Sequence, residues 1–168
     1  IVWRSIIIKN LRVLMSQEKG SPRYLRDHGD KLFSQAEILR LKNQYPEAYK
    51  IYHQCLEIRT QLSNNFDVGE TYIGLAKCLI ANKEIDKAEA YLTISSQIYS
   101  TTSDFYMLAD IHLLMAKCFY EEADFYSARK ETQMAIDLSK ESQHNYCLIE
   151  ANKFLKKVEE IIDLDDTK

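Results

Sequence analysis

The sequence predicts an all-α fold built as an array of helical hairpins, and three observations support this. The chain of 168 residues has only four glycines and two prolines, which favours long helices over a strand-rich fold with many tight turns. Apolar residues recur with the 3.6-residue period of a helix. Small residues also recur 40 positions apart, in two registers: Ala36, Ala76 and Ala116, and Ala48, Ala88 and Ala128. A repeat of this length indicates stacked hairpins that bury a continuous core.

The array is expected to occupy residues 24–164. Periodicity and turn signals predict helices at 24–42, 46–62, 67–81, 84–100, 103–121, 124–142 and 146–164. Pro46 fits the first turn of its helix, where a missing N–H costs nothing. Asp67, Ser103 and Asp124 are predicted N-caps, because a short side-chain oxygen satisfies a first-turn amide. The last helix carries Lys156 where the repeat places a small residue, so it is expected to cap the array with a polar outer face.

The two ends of the chain fall outside this array. Residues 1–23 are interpreted as a helix and loop, with the helix at 1–15 either a remnant of an upstream repeat or a linker. A strand at 5–9 and a basic amphipathic helix on a membrane surface remain alternatives for this segment. Residues 165–168 are expected to fray. Without an initiator Met or a convincing signal peptide, the chain is interpreted as a fragment of a larger protein.

Composition and motifs argue against several functions. The net charge of −3 does not favour nucleic acid, and no apolar run approaches the roughly 20 residues of a membrane span. The four cysteines lie in apolar helical runs without C-x-x-C spacing, which predicts reduced core residues in a cytoplasmic protein. No H-E-x-x-H, Walker or G-x-S-x-G motif is present, so we predict no enzyme activity, catalytic residue, cofactor or metal site.

The repeated unit has a recognisable motif. In each hairpin a large side chain and an alanine are followed twelve residues later by a second alanine: Gln35-Ala36 with Ala48, Leu75-Ala76 with Ala88, and Met115-Ala116 with Ala128. This pattern resembles a tetratricopeptide repeat (TPR) array. The resemblance implies a right-handed α-α superhelix of three hairpins, with an N-terminal helix and a C-terminal capping helix.

The sequence departs from the usual repeat in several ways: the expected glycine of the first helix is alanine throughout, and the closing proline is absent. The period is 40 residues rather than about 34, and Asn43, Lys83 and Ala123 replace the turn glycine. The longer period is similar to TPR domains of bacterial cytosolic regulators, such as peptide-pheromone receptors and the sensor ends of signalling ATPases. The repeats specify stacking and leave the ligand open.

The resemblance implies that the first helices line a concave groove, and three repeat-spaced rows are candidate partner-binding residues. They are an apolar row, a charged row and a mixed row: Phe33, Ile73 and Leu113; Glu37, Lys77, Lys117 and Lys157; Arg40, Ile80 and Tyr120. Lysines beside apolar positions suit a peptide with acidic groups. The alternatives are solvated lysines and an apolar row buried between helices.

We therefore expect a non-catalytic scaffold that binds a protein or peptide in its groove. One alternative is a ligand- or peptide-sensing domain of a transcriptional regulator or signalling ATPase. Another is a homodimerisation module that uses residues 1–15 and 146–164.

Overall fold

The computed structural model describes residues 20–62 and 64–166, and these residues form seven α-helices joined by short turns. The helices are α1 (Pro22–Leu41), α2 (Tyr45–Arg59), α3 (Asn65–Ala81), α4 (Ile85–Thr102), α5 (Phe105–Glu121), α6 (Phe125–Glu141) and α7 (Asn145–Asp166). A 3₁₀ turn, Thr60–Leu62, follows α2. The predicted all-α array of hairpins is confirmed. The helix predicted at 1–15 and the end of the predicted tail lie outside the described residues.

Packing between helices makes the array curve. Within each hairpin α1 packs on α2, α3 on α4 and α5 on α6, and α7 packs on α6. The first helices α1, α3, α5 and α7 also contact one another in succession, whereas α2, α4 and α6 form no comparable contacts with each other in the described part of the chain. Because the first helices contact one another and the described second helices form no comparable contacts, the first helices line the inner, concave face of a helical-repeat superhelix.

The repeated alanines lie at the centres of these contacts. All six, in both registers, have no solvent-exposed surface. A methyl side chain lets neighbouring backbones approach more closely than a larger residue would. The spacing that predicted the fold therefore marks the positions where the helices are packed most closely.

Five turns between helices share one backbone conformation. Five residues in these turns have φ between 52° and 63°: Asn43, Lys83, Ser103, Ala123 and Gln143. They are spaced by 20 or 40 residues, so turns within hairpins and turns between hairpins place a residue of left-handed conformation at the equivalent position. None of them is glycine, although the left-handed region disfavours residues with a Cβ.

The predicted N-caps are partly confirmed. Asp124 caps α6, its Oδ1 accepting from the amide of Ser127 at 3.0 Å. The prediction of Ser103 is wrong, because this residue takes the left-handed turn conformation and Asp104 caps α5 instead. Helix α3 is capped by Asn64, whereas Asp67 lies in its first turn. Pro46 occupies the first turn of α2, as predicted.

All four cysteines are buried as free thiols, as predicted. Burial raises the pKa of Cys78 to about 11 and that of Cys118 to about 12, so both thiols stay protonated in the core. Among residues 20–62 and 64–166, no helix is both long and apolar enough to cross a bilayer.

Candidate functional site

The concave face contains a groove of about 450 Å³ between the inner helices. Its lining comes from the end of α1, from Tyr45 and from α3, α5 and α7. A smaller cavity of about 200 Å³ adjoins it and shares Lys77 and Asp110 with it. We call the two together the concave groove. All four inner helices contribute to it, which is the geometry of a site that an extended segment can follow.

The structure brings eight of the ten candidate residues to this groove. The larger part is lined by Arg40, Lys77, Ile80, Leu113 and Lys117, and the smaller part by Phe33, Glu37, Ile73 and again Lys77.

The remaining two candidates, Tyr120 and Lys157, lie outside the groove. Tyr120 packs edge-on against Phe125 and Phe154, with ring centroids 5.5 Å apart in both pairs. The Lys157 Nζ lies 4.1 Å from the centroid of the Tyr120 ring, a cation–π contact. Because Phe154 and Lys157 both belong to α7, these contacts pack the capping helix against Tyr120 of α5.

Lys77 and Lys117 are equivalent residues of α3 and α5, one repeat apart, and both are half-buried. Neither forms an ion pair with a residue that the structure describes, whereas other lysines do: Lys83 with Glu121, Lys87 with Glu84, and Lys140 with Asp137. Two half-buried, unpaired ammonium groups on one wall make that wall of the groove attractive to an anion.

Glu37 begins the same charged row but is already engaged. It accepts hydrogen bonds from Arg40, at 3.1 Å from Nε and 2.7 Å from Nη2, and from the Tyr52 hydroxyl. Burial alone would raise the pKa of Glu37, but the hydrogen bonds from Arg40 and Tyr52 and the charge of Lys77 hold it below its ordinary value. Glu37 therefore stays ionised and fixes Arg40 at the rim of the groove.

The inner helices also carry an acidic row that the sequence analysis missed. It has the same 40-residue spacing and comprises Asp30, Glu70, Asp110 and Glu150. Each acid precedes the charged row by seven residues, which is about 10 Å along a helix on the same face. The repeat spacing itself was the signal that would have revealed this row.

Three of these four acids are engaged by side chains from outside the inner helices. Arg59 of α2, only 4% exposed, forms ion pairs with Asp30 at 3.2 Å and with Glu70 at 3.1 Å. His144, in the turn before α7, lies 3.1 Å from the Oδ1 of Asp110. Glu150 has no ion pair with a described residue. Among the charged residues that line the groove, Lys77, Lys117 and Glu150 therefore have no ion pair with a described residue.

The apolar row is mostly core. Ile73 is 3% exposed and Leu113 6%, so the packing alternative holds for these two residues, which border the groove without opening into it. Phe33 is half-buried beneath the Arg59 guanidinium, whose Cζ lies 4.4 Å from the ring centroid. Exposed apolar surface comes instead from Leu41 and Tyr146 at the groove, which are 70% and 74% exposed.

The comparison with protein families agrees with this geometry. Residues 31–101 match the family model of the tetratricopeptide repeat. This match and the stacked hairpins support a TPR array. The match spans most of α1 to α4, and the same hairpin geometry continues through α5 and α6. TPR domains generally mediate protein–protein interaction, binding proteins or peptides, and are typically non-catalytic scaffolds. No curated protein matches the chain.

Proposed function

We propose that this TPR array binds a segment of another protein in its concave groove and acts without catalysis. The observation that carries the proposal is the pair Lys77 and Lys117, half-buried and without an ion-pair partner among the described residues, in a groove of about 450 Å³. A groove of this volume lies within the range of small-ligand pockets. Half-buried charges gain more from an anionic ligand than fully solvated charges do.

The preferred segment carries acidic groups next to a large apolar side chain. Its carboxylates pair with Lys77 and Lys117. Its apolar side chain covers Leu41 and Tyr146, which are large, exposed hydrophobic residues at the groove. Apolar surface of this kind, rimmed by charge, is typical of interaction sites. Glu150 selects against a second acidic group at its end of the groove.

The proposal is tested by selecting binders from a random peptide library with the chain and measuring their affinities by fluorescence anisotropy. We expect enrichment of peptides with Asp or Glu beside an aromatic or branched residue. In the double variant Lys77→Glu and Lys117→Glu, binding should weaken by about 1–3 kcal/mol. High salt should reduce this difference, because screening weakens the lysine–carboxylate attraction.

A matched control is available on the outer helices. Lys50 of α2 and Lys130 of α6 are two repeats apart in the sequence. Both side chains are exposed, and both lie outside the groove. Lys50→Glu with Lys130→Glu changes the net charge by the same amount and should alter affinity by no more than a factor of about two. Equal losses in both double variants, or enriched peptides without acidic residues, would contradict the proposed site.

The cysteines bear on where this binding takes place. Cys55, Cys78, Cys118 and Cys147 are buried as free thiols, and free core thiols suit a reducing compartment. We therefore include a cytoplasmic location in the proposal. Fractionation of cells that produce the full-length protein would test it.

A further inference from the structure

Three potential metal ligands of different types meet beside the concave groove. Asp110 lies on α5, His144 immediately precedes α7, and Cys147 lies in the first turn of α7. One donor atom from each lies within 4.8 Å of the other two, and the His144 Nε2 is 3.1 Å from the Asp110 Oδ1. Asp110 and Cys147 line the groove, so this cluster is not sealed within the core.

The histidine and cysteine are held in place by local structure. The amide of His144 donates to the Ser139 carbonyl at 2.8 Å, and its own carbonyl accepts from the amide of Leu148 at 3.0 Å. The imidazole stacks on Tyr106, with ring centroids 3.6 Å apart and planes 11° apart. Because Cys147 follows His144 by three residues at the start of a helix, both side chains face α5. The three donors converge without help from a ligand.

We propose that Asp110, His144 and Cys147 form a binding site for a zinc-like divalent ion. Carboxylate oxygen, imidazole nitrogen and thiolate sulfur are the donors that Zn²⁺ takes in proteins, whereas Mg²⁺ and Ca²⁺ require oxygen ligands. Tetrahedral coordination puts donors roughly 3.5 Å apart, so movements of about 1 Å suffice from the present positions. One carboxylate and one thiolate also balance the double charge of the ion.

Metal binding at this site exchanges bonds and protons in a defined way. The Cys147 thiol loses its proton to solvent as the metal–sulfur bond forms. The hydrogen bond between His144 Nε2 and Asp110 is replaced by one metal bond to each residue, and the Nε2 proton of the imidazole moves through solvent to Nδ1. Three protein ligands leave the fourth position of a tetrahedral ion open. Since Asp110 and Cys147 line the groove, this position faces it.

The donor set is specific to one junction of the array. At the preceding junction, the equivalent positions 40 residues earlier hold Glu70, Asp104 and Met107, with no imidazole and no thiolate. The site therefore does not follow from the repeat pattern, and it does not depend on whether the groove binds a peptide. The prediction of no metal site rested on short sequence motifs, whereas these ligands come from α5, from the turn before α7 and from the first turn of α7.

The test is a titration of the chain with Co²⁺, followed by absorption spectroscopy. We expect one ion per chain, a thiolate-to-cobalt charge-transfer band in the near ultraviolet, and the intense visible bands of tetrahedral cobalt. Addition of Zn²⁺ should remove both signals. Cys147→Ser should abolish the charge-transfer band, whereas Cys118→Ser, which changes another buried thiol, should leave it intact.

A second variant separates metal binding from folding. The side chain of Asp110 is 32% exposed, and asparagine has nearly the same shape as aspartate. We therefore expect Asp110→Asn to fold normally. Its Co²⁺ affinity should fall about tenfold or more, with an unchanged far-ultraviolet circular dichroism spectrum. The proposal is overturned if the wild-type chain gives no charge-transfer band, if the band survives Cys147→Ser, or if Asp110→Asn binds Co²⁺ as tightly as the wild type.

Discussion

Gly74 of α3 lies where the ring of Tyr52 fills the space that a side chain would need. A Cβ on Gly74 would lie 2.5 Å from the Tyr52 Cε1 and 2.6 Å from its Cζ. The fully buried ring cannot move aside easily. Its hydroxyl donates to Glu37, and Phe33 packs edge-on against it with centroids 5.7 Å apart. We therefore predict that Gly74→Ala destabilises the array.

The size of this effect depends on one favourable and two unfavourable contributions. Alanine in a helix interior is about 1 kcal/mol more favourable than glycine. Overpacking of a filled core costs about 1–3 kcal/mol. Displacing the Tyr52 ring also loses a hydrogen bond to a charged carboxylate, which contributes about 1.5–3 kcal/mol. The unfavourable contributions are larger, and we expect a net loss of about 3 kcal/mol in the free energy of unfolding.

Gly29 of α1 provides the control. A Cβ on Gly29 would meet the Arg59 Cγ at 3.3 Å, a flexible side chain that needs to move only a few tenths of an ångström. The helix preference for alanine then decides the outcome, and Gly29→Ala should lie within about 1 kcal/mol of the wild type. Urea unfolding followed by circular dichroism measures both variants, with a second probe to check that a repeat array unfolds in one step.

A double-mutant cycle tests the reason for the effect. The next interface uses two residues of intermediate size at the equivalent positions, Leu92 and Leu114, which share one core cluster. Tyr52→Leu combined with Gly74→Ala imitates that arrangement. The double variant should be about 2 kcal/mol more stable than the sum of the single effects. Strict additivity, or a fully stable Gly74→Ala variant, would refute the argument from crowding.

Two further predictions concern a turn and the half-buried acid Glu37. Ala123→Gly should stabilise the chain by about 1 kcal/mol, because φ of 62° strains a residue with a Cβ; Asn43→Gly should gain less, because asparagine tolerates this region. In the folded state the pKa of Glu37 lies below its ordinary value of 4.5. The ionised carboxylate therefore stabilises the folded state fully above pH 4.5, and this stabilisation is lost as the pH falls through the folded-state pKa. Glu37→Gln should therefore be less stable than the wild type at neutral pH and lose less stability on acidification.

Urea unfolding checks both predictions. For the turn, the denaturation midpoint of each glycine variant is compared with that of the wild type. A midpoint that falls in Ala123→Gly would show that flexibility of the unfolded chain outweighs the strain. For the acid, the two stability curves should converge below pH 4.5. Parallel curves would mean that other carboxylates control the acid sensitivity.

Small residues made the fold predictable because each marks a close approach of two backbones. Ala36, Ala76 and Ala116 are fully buried in equivalent places, and their spacing is visible without knowledge of any contact. The left-handed turns were not predictable in the same way. Asn43, Lys83 and Ala123 share a backbone conformation but no chemical property, so only their position relative to the alanines connects them.

The candidate site was predictable in its positions but not in its charge. Lys77 and Lys117 were identified from their spacing, and both line the groove. Tyr120 was placed with them by the same spacing, yet the array ends there, and α7 covers this position with Phe154. Equivalent positions in a repeat have equivalent surroundings only where both neighbours are repeats.

The charge of the groove depends on contacts that no row of residues in the sequence reveals. The acidic row has four members on the inner helices, so a count of charges along these helices alone would predict an acidic groove. Arg59 reaches two of these acids from α2, and His144 reaches a third from the turn before α7. Residues outside the inner helices therefore decide which acids of the row keep an ion pair or hydrogen bond and which remain without one. Arg59→Met would leave Asp30 and Glu70 without this cation, so we expect weaker binding of acidic peptides, measured by fluorescence anisotropy.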